Sequence, residues 1–187
     1  MGYDMRWEGE PSPELVAAHQ EACEAFEAAV RARDEFPRGS LEAESLQPEV
    51  QRTYDVMQKT DVGYFRLNIW GMETARNELY KVGVITDEPT PEFPGHDAEW
   101  ESLSEERQDE IINEWQSAVA PGDTHGIPSY KLGSNDGWLV TPAEIRTGLA
   151  WADYHEGEGW EYRLTDYVQE WVQWMKQAAT MGGFRVW

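Results

Sequence analysis

A histidine and a cysteine stand four residues apart near the start of the sequence, at His19 and Cys23. Residues four apart share a face of a helix, so this pair has the spacing of half a zinc site or of a cysteine–histidine nucleophile. A zinc site needs three or four ligands, and His96, His125 and His155 stand singly, without ligand spacing. We therefore interpret Cys23 as a buried apolar residue and His19 as a surface residue, and expect neither metal nor cofactor.

Neighbouring carboxylates are frequent, as at Glu105–Glu106 and Asp109–Glu110, but the chain has 36 acidic residues and adjacency alone indicates little. A catalytic acid requires a desolvated site that raises its pKa, and glutamates on an exposed helix face lack one. One acidic, glycine-containing stretch carries four possible calcium ligands, namely Asp153, Glu156, Glu158 and Glu161. Their order does not match the pattern of a calcium-binding loop. We identify no catalytic residue and no metal site.

Polar residues lie beside aromatic ones around the glycine-bounded stretch Gly133–Gly137. One hypothesis is an enzyme or a small-molecule-binding protein with an aromatic pocket between this stretch and the C-terminal helix. The pocket residues would be Tyr130, Ser134, Asn135, Asp136, Trp138, Trp171 and Trp174. The alternative is that Gly133–Gly137 is only a hairpin turn and that Trp171 and Trp174 form part of an apolar stripe facing the core.

The net charge of −21 is the strongest property of the chain, with 36 acidic against 15 basic residues. Such a surface repels nucleic-acid phosphate and anionic lipid and attracts basic proteins. Residues 87–114 contain eleven acids and one basic residue, Arg107, so this segment carries −11 + 1 = −10. Within it, four carboxylates about one helical turn apart would form a ladder on one face; these are Glu106, Asp109, Glu110 and Glu114.

This charge distribution favours a non-catalytic interaction protein that binds a basic protein partner, of the inhibitor, immunity-protein or DNA-mimic type. Direct binding to nucleic acid or to a membrane is not expected. Binding of a small molecule in the aromatic pocket stays open as the alternative.

The location predicted from the sequence is the cytoplasm. A single cysteine cannot form an internal disulfide, residues 1–7 contain no apolar stretch of signal-peptide length, and no run approaches the roughly 18 apolar residues of a membrane span. A length of 187 residues with ten tryptophans indicates one packed domain over residues 1–187.

Alternation of apolar and polar residues predicts strands over 3–7, 64–70 and 184–187, and a hairpin of 129–132 with 138–140. Helix starts are predicted at Ser12–Pro13, Pro48, Gly71, Ser102 and Thr141–Pro142, with a last helix carrying Tyr167, Trp171 and Trp174. The predicted fold is α+β, a single domain with a small antiparallel or mixed sheet of three to five strands packed against about six helices.

Three stretches of the sequence together resemble small uncharacterised bacterial proteins of actinobacterial type, which have no assigned activity. The stretches are Met1-Gly-Tyr-Asp-Met5, Ser134-Asn-Asp-Gly-Trp-Leu-Val-Thr-Pro142 and Gly182-Gly-Phe-Arg-Val-Trp187. The resemblance implies one compact domain over the whole length and assigns a role to no residue.

Overall fold

The computed structural model describes residues 2–95, 100–118, 126–157 and 164–187, with the backbone alone for 155–157. These residues form a protein of the predicted α+β class, with strands and six α-helices in the order β1 (Gly2–Trp7), α1 (Pro13–Asp34), α2 (Leu41–Thr60), β2 (Tyr64–Asn68), α3 (Ile69–Lys81), β3 (Ile85–Thr86), α4 (Glu105–Gln116), β4 (Ile127–Pro128), β5 (Leu139–Val140), α5 (Pro142–Gly157), α6 (Asp166–Ala178) and β6 (Phe184–Val186). Two short 3₁₀-helices lie at Trp100–Ser102 and Ser129–Leu132. None of the described helices has the length and apolarity that a membrane crossing requires.

The chain divides into two compact units, one made of Met1–Gly9 with Tyr64–Trp187 and the other of Glu10–Gly63. The larger unit contains the strands β1 to β6 and the helices α3 to α6, whereas the smaller one contains α1 and α2. The single domain expected from the length stays a prediction.

The main sheet of the larger unit has the strand order β2-β1-β6-β5, with all neighbours antiparallel. The three strands predicted from alternation therefore share one sheet, and Met5 of β1 pairs with both Phe65 and Val186. The predicted strand over 64–70 ends earlier, at Asn68, because the Asn68 side chain accepts a hydrogen bond from the Gly71 N–H at 2.7 Å and caps α3.

Helix α6 covers one face of this sheet through Trp174. The Trp174 ring lies 6.0 Å from Trp7 of β1, 5.6 Å from Phe65 of β2 and 5.1 Å from Phe184 of β6, measured between ring centroids. Trp171 on the same helix is fully buried in the same core. One aromatic side chain thus contacts three neighbouring strands, and the apolar stripe predicted for the last helix faces the core.

The smaller unit is a pair of helices whose rings Phe26 and Tyr54 lie 5.6 Å apart. Ser12 caps α1, as predicted. The predicted start of the second helix at Pro48 is wrong, because Ser40 caps this helix and its first residue is Leu41. Pro48 lies in the helix interior, where its missing N–H removes one backbone hydrogen bond without ending the helix.

The predicted hairpin around Gly133–Gly137 is also wrong. Residues Ser129–Leu132 form a 3₁₀-helix, and β5 pairs with β6 instead. The Gly137 N–H donates to the Val186 carbonyl at 2.9 Å, and Gly137 has a φ of +78°, which favours glycine. The direction of the chain before β5 is therefore set by a strand about 50 residues later, which local turn residues do not reveal.

Candidate functional site

Helix α4 is held in place through its inner face. The Trp115 ring lies 4.2 Å from Trp138 and 5.1 Å from Phe93, and the Gln116 side-chain amide donates to the Asp136 carbonyl. The N-cap is Ser104, two residues after the predicted Ser102, because the Ser104 side chain accepts the Arg107 N–H at 3.3 Å. Residues 119–120, predicted to end this helix, lie outside the described residues.

The outer face of α4 presents the four predicted carboxylates, which we call the acidic face. Each of the four is exposed, namely Glu106, Asp109, Glu110 and Glu114. The half-buried residues Ile111, Ile112 and Trp115 lie on the opposite side of the helix. At 1.5 Å rise per residue, the acidic face extends over about 12 Å along the helix axis.

Only part of this charge is neutralised by neighbouring residues. Arg107 Nη1 lies 2.7 Å from Glu110 Oε2. This hydrogen bond, supported by the charges of Glu110 and Glu114, raises the pKa of Arg107. Within the described ranges, no cation forms an ion pair with Glu106, Asp109 or Glu114, which leaves three carboxylates available to an external cation.

The residues predicted to line an aromatic pocket fall into two separate groups. Trp171 and Trp174 belong to the core beneath the sheet, whereas Tyr130 and Trp138 contact each other edge to face with ring centroids 4.8 Å apart. All four are buried. Ser134 is half-buried, Asp136 is exposed, and the exposed Asn135 donates from Nδ2 to the Gly2 carbonyl at 3.0 Å. A pocket lined by this set stays a prediction, and the burial of its aromatic rings favours the core interpretation.

A buried ion pair, Lys131–Glu144, joins the 3₁₀-helix to the start of α5. Lys131 Nζ lies 2.8 Å from Glu144 Oε1 and donates to Oε2 at 3.1 Å and to the Leu139 carbonyl at 2.7 Å. Burial lowers the pKa of Lys131, and the charge of Glu144 opposes that shift. Glu144 also accepts the Thr141 N–H at 2.8 Å and thereby completes the predicted capping box. Sequence reasoning found the cap but not the lysine, because a single lysine between Tyr130 and Leu132 carries no recognisable pattern.

An open cavity of about 160 Å³ lies beside α3. Its lining combines opposite charges, polar groups and apolar surface, and comprises Glu73, Arg76, Asn77, Tyr80, Ile85 and Ser129. Arg76 Nε is buried without a hydrogen-bond partner. Sequence reasoning missed this site, because Glu73 and Arg76 have the spacing of an ordinary ion pair on a helix surface. A larger open cavity, of about 380 Å³, lies at the connection between α1 and α2 and includes Arg38 and Gly39.

No family model, curated protein or solved structure matches this chain. The resemblance to actinobacterial proteins stays a prediction.

The cysteine–histidine pair lies within the smaller unit. His19 Nδ1 lies 3.1 Å from Thr60 Oγ1, and His19 Nε2 lies 3.5 Å from Cys23 Sγ. Over the described residues, no group of three or more histidine, cysteine or acidic side chains is arranged to hold a metal ion. Of the acidic residues considered for a calcium loop, Asp153 is exposed on α5, and the side chains of Glu156, Glu158 and Glu161 lie outside the described residues.

Proposed function

We propose that this chain is a non-catalytic interaction protein that binds a basic protein through the acidic face of α4. The observation that carries the proposal is the exposure of Glu106, Asp109, Glu110 and Glu114 on one side of a helix whose other side is packed. Because the helix is held by Trp115 and Gln116, the carboxylates are presented without a large loss of backbone freedom on binding.

The spacing of these charges supports a surface of the DNA-mimic or toxin-inhibitor kind. Four carboxylates over about 12 Å are about 4 Å apart along the axis, compared with about 3.4 Å between charges along one DNA strand. Arg107 compensates Glu110, so the effective density is lower than in DNA. A basic protein surface that binds a row of phosphates could therefore bind this row of carboxylates. We propose that this binding occurs in the cytoplasm.

Long-range attraction would guide the partner to this face. The whole chain carries −21, so approaching cations are attracted from any direction, and the four exposed carboxylates of the acidic face add to the field near α4. Such steering typically raises association rates by about 10-fold to 1,000-fold and weakens as salt shortens the Debye length. The proposal therefore requires a binding constant that falls steeply with ionic strength.

The test begins with capture of a basic protein from host lysate at low salt, with elution at high salt, followed by binding measurements on the purified pair. The variant carries four changes on the acidic face, Glu106→Gln, Asp109→Asn, Glu110→Gln and Glu114→Gln. We expect its association rate to fall about tenfold or more, with a shallower dependence of affinity on salt. Duplex DNA competes for the captured partner if the mimic form of the proposal is correct.

A matched control removes the same number of charges elsewhere. Glu21, Glu24, Glu42 and Glu44 are exposed on α1 and α2, and changing all four to glutamine also takes the net charge from −21 to −17. This control should bind nearly as tightly as the wild type. Equal losses in both variants would mean that net charge alone attracts the partner, and the proposed role of α4 would be rejected.

A further inference from the structure

Arg76 is an arginine for which the described part of the chain provides no acidic partner. Six arginines form ion pairs in the described ranges, namely Arg31, Arg33, Arg52, Arg66, Arg107 and Arg185. Arg76 is half-buried, forms no ion pair with any described residue, and has its Nε buried without a partner. A buried guanidinium N–H that lacks an acceptor is costly. An external carboxylate on the part of the Arg76 side chain that lines the cavity beside α3 would stabilise the charge of this residue.

The same helix offers Arg76 a carboxylate that it does not use. Glu73 precedes Arg76 by three residues, as Glu49 precedes Arg52, and the Glu49–Arg52 pair closes at 2.6 Å. The Arg76 guanidinium instead extends toward the loop at Gly133, where a Cβ added to the glycine would lie 3.5 Å from Nη2. Glu73 and Arg76 therefore stay apart, and both line the open cavity beside α3.

The remaining lining limits what this cavity can hold. Asn77 and Ser129 supply hydrogen-bonding groups, and Tyr80 and Ile85 supply apolar surface. A volume of about 160 Å³ is close to the roughly 150 Å³ of an engineered cavity that holds benzene, a ligand of six heavy atoms. A multiply charged anion such as phosphate is disfavoured, because Glu73 lines the same cavity and the chain carries −21.

We propose that this cavity binds a small α-amino acid, with its carboxylate on Arg76 and its ammonium group on Glu73. The planar guanidinium fork matches a carboxylate, and the carboxylate of Glu73, which lines the same cavity, matches a cation. A zwitterion pairs with both Arg76 and Glu73. A simple carboxylate leaves Glu73 without a cation, and a simple amine leaves Arg76 without an anion. This site lies apart from the acidic face of α4 and stands independently of the proposed partner.

The test is calorimetric titration of the full chain with glycine, L-alanine and L-serine, alongside two fragments of alanine. Propionate lacks the amine, and ethylamine lacks the carboxylate. We expect at least one of the amino acids to bind, and both fragments to bind about tenfold or more weakly, since each forfeits a charge-assisted contact. Arg76→Gln should lower amino-acid affinity about tenfold or more. Arg38→Gln, which makes the same change of charge at an exposed residue of the smaller unit, should leave it unchanged.

A second variant keeps the test decisive if Arg76→Gln fails to fold. Glu73 is exposed, so the Glu73→Gln variant should fold normally. In this variant the ratio of the affinity for alanine to the affinity for propionate should be smaller than in the wild type. The proposal is overturned if no amino acid of the panel saturates the protein at millimolar concentration, or if propionate binds the wild type as tightly as alanine. It is also overturned if a folded Arg76→Gln variant binds like the wild type.

Discussion

Removing the ammonium group of Lys131 should destabilise the larger unit severely. Lys131 is 0% exposed and Glu144 is 1% exposed, so Lys131→Met leaves a carboxylate in the interior without its counter-charge. Methionine fills a similar volume, and the donors from Thr141 remain, but the Leu139 carbonyl also loses the Nζ donor at 2.7 Å. Breaking a buried pair by removing one partner typically costs about 3–5 kcal/mol.

The measurement is urea unfolding followed by tryptophan fluorescence. All ten tryptophans belong to Met1–Gly9 or Tyr64–Trp187, so the signal reports the unit that contains Lys131. With an m-value of about 2 kcal/mol per molar urea, the expected loss lowers the unfolding midpoint by roughly 2 M.

A second substitution provides a second readout. Adding Glu144→Gln to the variant should restore much of the lost stability at pH 7, since the amide oxygen can still accept the Thr141 N–H.

Two results would refute this reasoning about the pair. They are a loss below about 1 kcal/mol in Lys131→Met, or a double variant no more stable than the single one. Either of them would mean that the interior around Glu144 is solvated in solution.

Two smaller changes test the same region. Thr141→Ala should cost about 1 kcal/mol, because the Glu144 N–H loses the Thr141 Oγ1 acceptor at 3.3 Å, and an unchanged denaturation midpoint would contradict the cap. Burial, followed by the charges of Glu144 and Glu88, raises the pKa of Tyr130 to about 12, above its ordinary value of 10.0. The folded state therefore holds the Tyr130 proton more tightly, and wild-type stability should fall as pH rises from about 10 to about 12, a fall that Tyr130→Phe should reduce. Near neutral pH this variant should match or slightly exceed the wild type, because the Tyr130 hydroxyl is buried without a partner; a loss above about 1 kcal/mol in thermal or urea unfolding would contradict this.

Helices and strands that are specified by neighbouring residues could be predicted from the sequence. Ser12 with Pro13, and Thr141 with Glu144, specify helix starts through neighbouring side chains and backbone N–H groups. Alternation predicted β1 and β6 because one face of each strand is buried. The prediction from Pro48 was wrong because proline is common at the first position of a helix, so it indicated a helix start there. The helix is in fact capped by Ser40, and Pro48 lies in its interior.

The candidate sites were predictable only where a pattern on one element suffices. The acidic residues of α4 follow helical spacing, so their common face could be read from the sequence, whereas their partner stays a prediction. The unpaired state of Arg76 depends on the 129–133 segment reaching α3, which no local pattern reveals. The interior position of Lys131 likewise depends on contacts with Leu139 and Glu144. These residues lie too far along the chain for a local sequence pattern to indicate the contacts.

The place of β1 between β2 and β6 has a consequence for synthesis on the ribosome. Met5 pairs with Phe65, which follows it by 65 − 5 = 60 residues, but its other partner, Val186, follows 186 − 5 = 181 residues later. At roughly 5–20 residues per second, translation keeps that edge of β1 unpaired for roughly ten to forty seconds. The nascent α1–α2 segment needs only local contacts and can form first, while the hydrogen-bonding edge of β1 has to be shielded from other nascent chains until β6 emerges.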